Sequence, residues 1–205
     1  QVLQEVSLGV RAAEFAVIQG SSGSGKSTLL SLLSGLDRPD SGTVRIQDQD
    51  ITKLSEDDLA PLRNRTFGFV FQSFHLVPSL SALENVMFPA ELSHNPNAAH
   101  EAGRLLERVG LAARASNMPH QLSGGEQQRI AICRALINRP AIIFADEPTG
   151  NLDSRSGQAI LDLLLEFQHE YHTTLLMVTH NPAIAEQADS RFQLTDGRLI
   201  PPAVN

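Results

Sequence analysis

The sequence is poor in cysteine, in aromatic residues and in basic residues. Its single cysteine, Cys133, excludes an intrachain disulfide, fits a reducing compartment and is expected to be a small core residue rather than a reactive thiol. The 16 Lys and Arg against 23 Asp and Glu give a net charge of −7. This balance disfavours a nucleic-acid-binding protein, because such proteins present a basic footprint.

Long apolar runs are missing as well. No stretch approaches the roughly 20 residues that cross a bilayer, and the N-terminus lacks the basic-then-apolar order of a secretion signal. We therefore expect no direct membrane insertion, so that any membrane role must come through a partner. The 205 residues are 41% hydrophobic, which is enough to bury the core of one domain.

Short apolar runs alternate with helical patterns along the chain. The runs predict buried strands at 15–18, 43–46, 67–71, 142–145 and 175–178, and residues 192–200 predict a β-hairpin. Helical patterns follow Lys26, Ser55, Ser81 and Ser154. This alternation favours an α/β fold with a mainly parallel sheet. The helical block from about 73 to 138 interrupts it and predicts a subdomain inserted into the sheet domain.

A glycine-rich and serine-rich stretch follows the first predicted strand and precedes a helical pattern. It consists of Gly20, Ser21, Ser22, Gly23, Ser24, Gly25, Lys26, Ser27 and Thr28, and it fits the phosphate-binding loop pattern. The glycines let successive backbone N–H groups point at phosphate oxygens, and the start of the helix adds its positive dipole end. We expect Lys26 to reach the β- and γ-phosphates of ATP and Ser27 to ligate Mg²⁺.

Two carboxylates, Asp146 and Glu147, end the predicted strand at 142–145. Ligands of parallel sheets bind at the carboxyl ends of strands. We therefore expect Asp146 to hold Mg²⁺ through its water shell, and Glu147 to polarise the attacking water as a general base. A solvated acidic turn before Pro148 is the plainer interpretation, and the phosphate loop disfavours it.

The stretch Leu122–Arg129 (Leu-Ser-Gly-Gly-Glu-Gln-Gln-Arg) combines a helix cap with two glycines. Ser123 and Glu126 form a capping box, which predicts the start of a helix. Gly124 and Gly125 leave its backbone N–H groups open to an anion. An ordinary capped helix would explain the Ser and Glu alone. The full stretch resembles the signature sequence of the ATP-binding-cassette family.

Further elements of that family occur in the same order. The resemblance implies that Gln72 senses Mg²⁺ and the γ-phosphate as a metal ligand, and that His180 contacts the γ-phosphate. It also implies that the loop Asn151-Leu152-Asp153 crosses a dimer interface, with Asp153 coupling two nucleotide sites. Gln72 or His180 alone would be weak evidence for a nucleotide site. The occurrence of the phosphate loop, the glutamine, the signature, the acidic pair and the histidine in this order supports each assignment.

The resemblance covers essentially the whole chain and implies an ATPase that works as a pair. One copy would supply the phosphate loop, Gln72, Asp146, Glu147 and His180. Ser123 and Gly125 of a second copy would close over the γ-phosphate. The implied fold is a P-loop NTPase core over 1–72 and 139–205, with N-terminal antiparallel strands and a helical subdomain over 73–138.

Three stretches, 67–74, 83–86 and 145–153, are similar to the macrolide-exporter and lipoprotein-release branch of the family. This implies integral membrane permease subunits as partners and a peripheral position on the cytoplasmic face of the inner membrane, with ATP driving export, lipoprotein release or mechanical work. We expect 72–89 to face the permease, unless its apolar side chains are subdomain core. An ATP-gated scaffold of a cell-division-type complex and a soluble non-transport cassette ATPase are the alternatives.

The chain departs from the family pattern near its start. The family carries an aromatic residue upstream of the phosphate loop that stacks on adenine. No Phe, Tyr or Trp precedes Phe15, which belongs to the first predicted strand, so no stacking residue is assigned. We expect the chain to begin after that element.

Overall fold

The computed structural model describes residues 2–200, so residues 1 and 201–205 of the predicted core lie outside the described residues. The strands are β1 (Phe15–Gln19), β2 (Arg45–Ile46), β3 (Gln49–Asp50), β4 (Phe67–Phe71), β5 (Ile142–Asp146), β6 (Thr174–Thr179), β7 (Ser190–Thr195) and β8 (Arg198–Ile200). The helices are α1 (Lys26–Leu33), α2 (Glu56–Thr66), α3 (Ala82–Leu92), α4 (Ala98–Arg108), α5 (Gly124–Leu136), α6 (Ser154–Tyr171) and α7 (Pro182–Ala185).

One six-stranded sheet has the order β4-β5-β6-β1-β7-β8. Every pairing in it is parallel except the β7–β8 hairpin. In the register, Phe71 lies opposite Asp146, Asp146 opposite Val178, and Thr179 opposite Gln19. The carboxyl ends of four neighbouring strands are therefore level, and the residues that follow them meet at one edge.

The predicted α/β fold with a mainly parallel sheet is confirmed, with two local differences. The strand predicted from residue 43 begins at Arg45, because within 43–46 the ladder with β3 is formed by Arg45 and Ile46. The sequence predicts antiparallel strands near the N-terminus. The structure has one separate antiparallel pair, β2 with β3, and the described residues before Phe15 contain no strand. The division of the chain at residues 73 and 138 stays a prediction.

Both faces of the sheet are covered, which explains its continuously apolar strands. In β1, Phe15 and Val17 belong to the core that packs with α3, α4, α5 and α6. Ala16 and Ile18 belong to the opposite core, which includes Leu29 of α1. Cys133 is buried in the first core, as the sequence predicts.

The serine caps fix where several helices begin. Ser55, Ser81 and Ser123 accept hydrogen bonds from the third residue of α2, α3 and α5 respectively. Just after the C-terminal end of α1, Gly35 takes a left-handed φ of 64°, which ends the helix, and the next residue, Leu36, is exposed. Within residues 2–200, every helix is too short or too polar to span a bilayer.

Candidate functional site

The phosphate loop joins β1 to α1 at the level edge of the sheet. Gly23 and Gly25 have φ values of 79° and 101°, which side chains rarely adopt, and Gly25 is the N-cap of α1. Gly20 is needed for a different reason. A Cβ atom at that position would lie 2.3 Å from the carbonyl oxygen of Leu194 in β7. Two of the three predicted glycines thus serve the turn, and one serves close packing.

Lys26 is held inside the loop. Its Nζ donates hydrogen bonds of 2.9 Å to the carbonyl oxygens of Gly20 and Ser21, and it lies 4.0 Å from Oε1 of Glu147. The side chain is only 8% exposed. The ammonium therefore lies between the loop that would hold phosphates and the carboxylate that follows β5.

Two distant segments support the loop from behind. The backbone N–H of Gly197, in the β7–β8 turn, donates to the carbonyl of Ser24 at 3.1 Å, and Gln4 N–H donates to Gly197 at 2.8 Å. A Cβ at Gly25 would come within 2.9 Å of Leu3. Sequence reasoning found the hairpin but missed this support, because no pattern in the hairpin indicates its contact with residue 24.

A hydroxyl and a carboxylate meet beside Lys26. The Ser27 Oγ donates to Oδ1 of Asp146 at 3.3 Å. Burial raises the pKa of Asp146, while the Ser27 hydrogen bond opposes that rise. These are the hard oxygen donors that Mg²⁺ prefers, so the pair fits that ion. Gln72, the third predicted ligand, donates from its Nε2 to Asn151, and this bond does not use its Oε1.

Glu147 has its backbone in the left-handed region, with a φ of 44°. Such a conformation costs about 1–3 kcal/mol in a residue other than glycine. The side chain is fixed from two directions: Thr179 Oγ1 donates to Oε2 at 3.1 Å, and His180 Nδ1 lies 2.9 Å from Oε1. Sequence reasoning found Glu147 and His180 but missed Thr179, whose only signal was its place directly before His180.

Gln72 follows β4 and faces the loop that follows Glu147. Its Nε2 donates to Oδ1 of Asn151, and Nδ2 of Asn151 donates to the carbonyl of Gln72, both at 3.0 Å. A Cβ at Gly150 would lie 2.9 Å from Nε2 of Gln72. The reciprocal pair therefore ties the glutamine to the segment that carries the acidic pair.

The signature stretch forms the predicted helix start. Ser123 N–H donates to Oε2 of Glu126 at 2.8 Å, and the Glu126 N–H donates to the Ser123 Oγ at 3.3 Å. The Ser123 N–H and the Ser123 hydroxyl both donate to the Glu126 carboxylate, and these two bonds, followed by the nearby Arg114 and Arg129, lower the pKa of Glu126. A Cβ at Gly125 would meet open space, whereas Gly124 packs against Leu152.

The signature and the phosphate loop are separate parts of the surface within one chain. Among the described residues, no hydrogen bond joins 122–126 to 20–28. Asp153 is the N-cap of α6, where its Oδ1 accepts from Arg155 and Ser156 N–H groups at 3.1 and 3.0 Å. The structure thus brings Lys26, Ser27 and Asp146 together with Glu147 and His180, and it leaves Ser123 to Glu126 apart.

Comparison with known proteins finds similar chains over nearly the whole sequence. The family model described as "ABC transporter" matches residues 3–150. The lipoprotein-releasing system ATP-binding protein LolD of Hydrogenovibrio crunogenus is 50% identical over 204 residues, covering 98% of this chain and 89% of that protein. The macrolide export ATP-binding/permease protein MacB of Syntrophobacter fumaroxidans is 47% identical, covering 98% of this chain and 28% of that larger protein.

A solved structure is similar over nearly the whole fold. The dimeric post-hydrolysis state of the ATP-binding cassette MJ0796, bound to ADP and Pi, superposes with a TM-score of 0.90 at 40% identity. The match covers 98% of this chain and 89% of that one. The phosphate loop, the acidic pair and the signature thus occur in the fold that the resemblance predicts, and the chain belongs to the ABC transporter family of ATP-binding-cassette ATPases.

Proposed function

We propose that the chain hydrolyses ATP in two shared sites of a head-to-tail dimer and thereby drives a membrane permease. The observation that carries the proposal is the setting of Glu147. Its carboxylate is oriented by Thr179 and His180 and lies beside Lys26, at the edge where Ser27 meets Asp146. A carboxylate held next to a phosphate-binding loop is suited to orient a water for attack on phosphorus.

Each residue has one role in this reaction. The backbone N–H groups of the loop, with Thr28 at its end, bind the β- and γ-phosphates, and Lys26 balances their charge. Glu147 accepts the proton of the attacking water as the new oxygen–phosphorus bond forms and the bond to the β-phosphate oxygen breaks. His180 and Gln72 contact the γ-phosphate side.

Ser27 and Asp146, with Gln72, would hold Mg²⁺, which supplies positive charge to the phosphate oxygens when it is bound. The chemistry of these donors supports the assignment, since all are oxygen ligands: Asp146 and Gln72 lie at the carboxyl ends of the neighbouring strands β5 and β4, and Ser27 at the start of α1 bonds to Asp146. The bond from Gln72 to Asn151 uses Nε2 of the amide, whereas Oε1 is the atom that would bind Mg²⁺, so the two contacts are compatible.

The second copy completes the site. The exposed start of α5, where Ser123 caps the helix and Gly125 faces open space, presents backbone N–H groups that suit an anion. Among the described residues, this helix start makes no hydrogen bond with the phosphate loop of its own chain, so we assign the contact to a second copy. The similar cassette MJ0796 forms a dimer in its solved structure, and this dimer supports the pairing of two chains.

The test compares the wild-type chain with Glu147→Gln in the presence of Mg²⁺ and ATP. We expect the variant to bind ATP, to lose turnover and to accumulate as a dimer in light scattering, because the base is gone and the phosphate contacts remain. Lys26→Ala is the matched control and should lose the ATP-dependent dimer. Turnover at the wild-type rate in Glu147→Gln would refute the role of this carboxylate.

A groove beside the Gln72 loop is proposed as the permease contact. It has a volume of about 430 Å³ and lies between α2 and β4 on one side and α3 and α5 on the other. Leu36, Phe88 and Leu92 line it and are 51%, 41% and 60% exposed. Its charged lining is basic, so it suits a short helix of the permease with an apolar face and an acidic side chain.

The groove is connected to the nucleotide site through the loop after Gln72. Arg134 of α5 lines the groove and donates to the carbonyls of Phe74 and His75. Leu76 packs at the edge of the core, which agrees with the alternative interpretation of the segment, whereas Val77 is exposed. A partner helix in the groove would therefore move together with the segment that carries Gln72.

Co-purification with the permease tests the groove. We expect Leu92→Asp to release an identified permease subunit, because it places a charge in an apolar contact, and Ile200→Asp, an equally drastic change of an exposed side chain elsewhere, to retain it. Equal retention by both variants would place the contact elsewhere.

The specific work of the chain is proposed from the proteins that it is similar to. We propose lipoprotein release or export as the work performed, the cytoplasmic face of the inner membrane as the location, and 1–72 with 139–205 as core around the helical subdomain 73–138. The identity to LolD over nearly the full length of both proteins supports this branch.

A further inference from the structure

A fully buried polar side chain, Gln128, links the signature helix to the segment that carries Glu147. Gln128 is 0% exposed, and its Nε2 donates to the carbonyl oxygen of Pro148 at 2.5 Å. Pro148 directly follows Glu147. The bond therefore joins α5, which begins at the signature, to the backbone next to the carboxylate.

Burial of the Gln128 amide, considered by itself, destabilises the fold. Its Oε1 has no hydrogen-bond partner among the described residues, so half of the amide is desolvated without compensation. An apolar side chain of the same size would avoid that cost. What the glutamine supplies, and an apolar residue does not, is the N–H donor toward Pro148.

The backbone of Glu147 needs such a restraint. Its left-handed φ of 44° is unusual for a residue with a side chain, and more so directly before a proline. Two backbone bonds hold it: Glu147 N–H donates to Val178, and Gly150 N–H donates to Glu147, both at 3.0 Å. The Gln128 bond adds a third restraint, and it is the one that a side chain provides.

We propose that Gln128 is a positioning residue, which fixes the backbone of Glu147 and ties the orientation of that base to the signature helix. The proposal rests on the proposed function in that Glu147 is the general base. The contact of Leu152 with Gly124, where an added Cβ would lie at 3.3 Å, supports it, because the same loop touches the same helix a second time. In a head-to-tail dimer, this helix presents its signature to the other site.

The first test removes the donor and keeps the volume. Gln128→Met should lower kcat for ATP about tenfold, which is about 1.4 kcal/mol in the barrier, and leave KM within about twofold, because the phosphate loop is untouched. Gln168→Met in α6 is the matched control, because Gln168 also donates to a backbone carbonyl, that of Ala13 at 2.7 Å, and lies outside the proposed nucleotide site. It should change neither constant.

The second test separates positioning from a general effect on the fold. In a Glu147→Gln background the base is already gone, so Gln128→Met should not lower the residual single-turnover rate further. A tenfold loss in both backgrounds, or an unchanged kcat in Gln128→Met alone, would overturn the proposal. Turnover by Glu147→Gln at the wild-type rate would instead refute the proposed function.

A shorter amide guards against a variant that does not fold. Gln128→Asn keeps the polar group but withdraws it from Pro148 by one methylene, so the same loss of kcat is expected with a folded, ATP-dimerising chain. Full activity of a folded Gln128→Asn would likewise overturn the role of the hydrogen bond.

Discussion

Two helices of this chain begin with the same cap, and only one of those caps belongs to the proposed nucleotide site. Ser81 starts α3 and Ser123 starts α5, and each serine forms a capping box with the glutamate three residues later. In both, the hydroxyl accepts from the glutamate N–H at 3.3 Å. The pair allows the stability and the activity of a signature serine to be measured separately.

Replacing either serine by alanine removes one cap. We expect each variant to lose about 1 kcal/mol of unfolding free energy, which lowers the melting temperature by about 2–4 °C in a chain of this size. Ser123→Ala should in addition lose a hydrogen bond to the γ-phosphate in the partner's site. A hydrogen bond to a charged group contributes about 1.5–3 kcal/mol, so turnover should fall roughly 10- to 150-fold.

The assays are thermal unfolding without nucleotide and steady-state ATP hydrolysis above the dimerisation concentration. Similar melting temperatures with turnover lost only in Ser123→Ala would support a phosphate contact by the signature. Equal losses of turnover in Ser81→Ala and Ser123→Ala would refute it, because both would then reflect helix capping alone.

Three further predictions concern stability and reactivity. Gly68→Ala should destabilise the fold by about 1–3 kcal/mol in urea unfolding, because the added Cβ would lie 2.5 Å from the Ala135 carbonyl oxygen. Gly103→Ala is the matched control: its Cβ would meet open space on α4, so the change should stabilise the fold by about 0.5–1 kcal/mol. Asp146→Asn should abolish turnover yet add about 0.5–2 kcal/mol of stability at neutral pH. Because burial raises the pKa of Asp146 in the folded chain, that gain should shrink as the pH falls toward 3.8, the ordinary pKa of an aspartate. Burial also raises the pKa of Cys133 to about 12, so alkylation should require unfolding.

Much of the site could be predicted because it lies where local pattern and sheet geometry coincide. Asp146 and Glu147 end an apolar run, and the carboxyl ends of parallel strands meet at one edge. The register of β4, β5 and β6 confirms that meeting. The capping box at Ser123 was likewise predicted from two residues three positions apart.

The parts that sequence reasoning missed are contacts between residues far apart in the chain. Gly20 packs against Leu194, and the Gly197 N–H holds Ser24, although nothing in either segment indicates the other. Gln128 lies in a recognisable signature, but its burial against Pro148 depends on how α5 packs against β4 and α6. A single sequence carries no signal for such pairs.

Complementation between two inactive variants tests the shared sites most directly. Glu147→Gln lacks the base of its own site, and Ser123→Ala lacks the signature that it lends to a partner. In a mixed dimer one site carries both defects and the other carries none, so an equimolar mixture should recover about a quarter of the wild-type ATPase rate if the sites act independently. A mixture no more active than the average of its two components would contradict a site built from two chains.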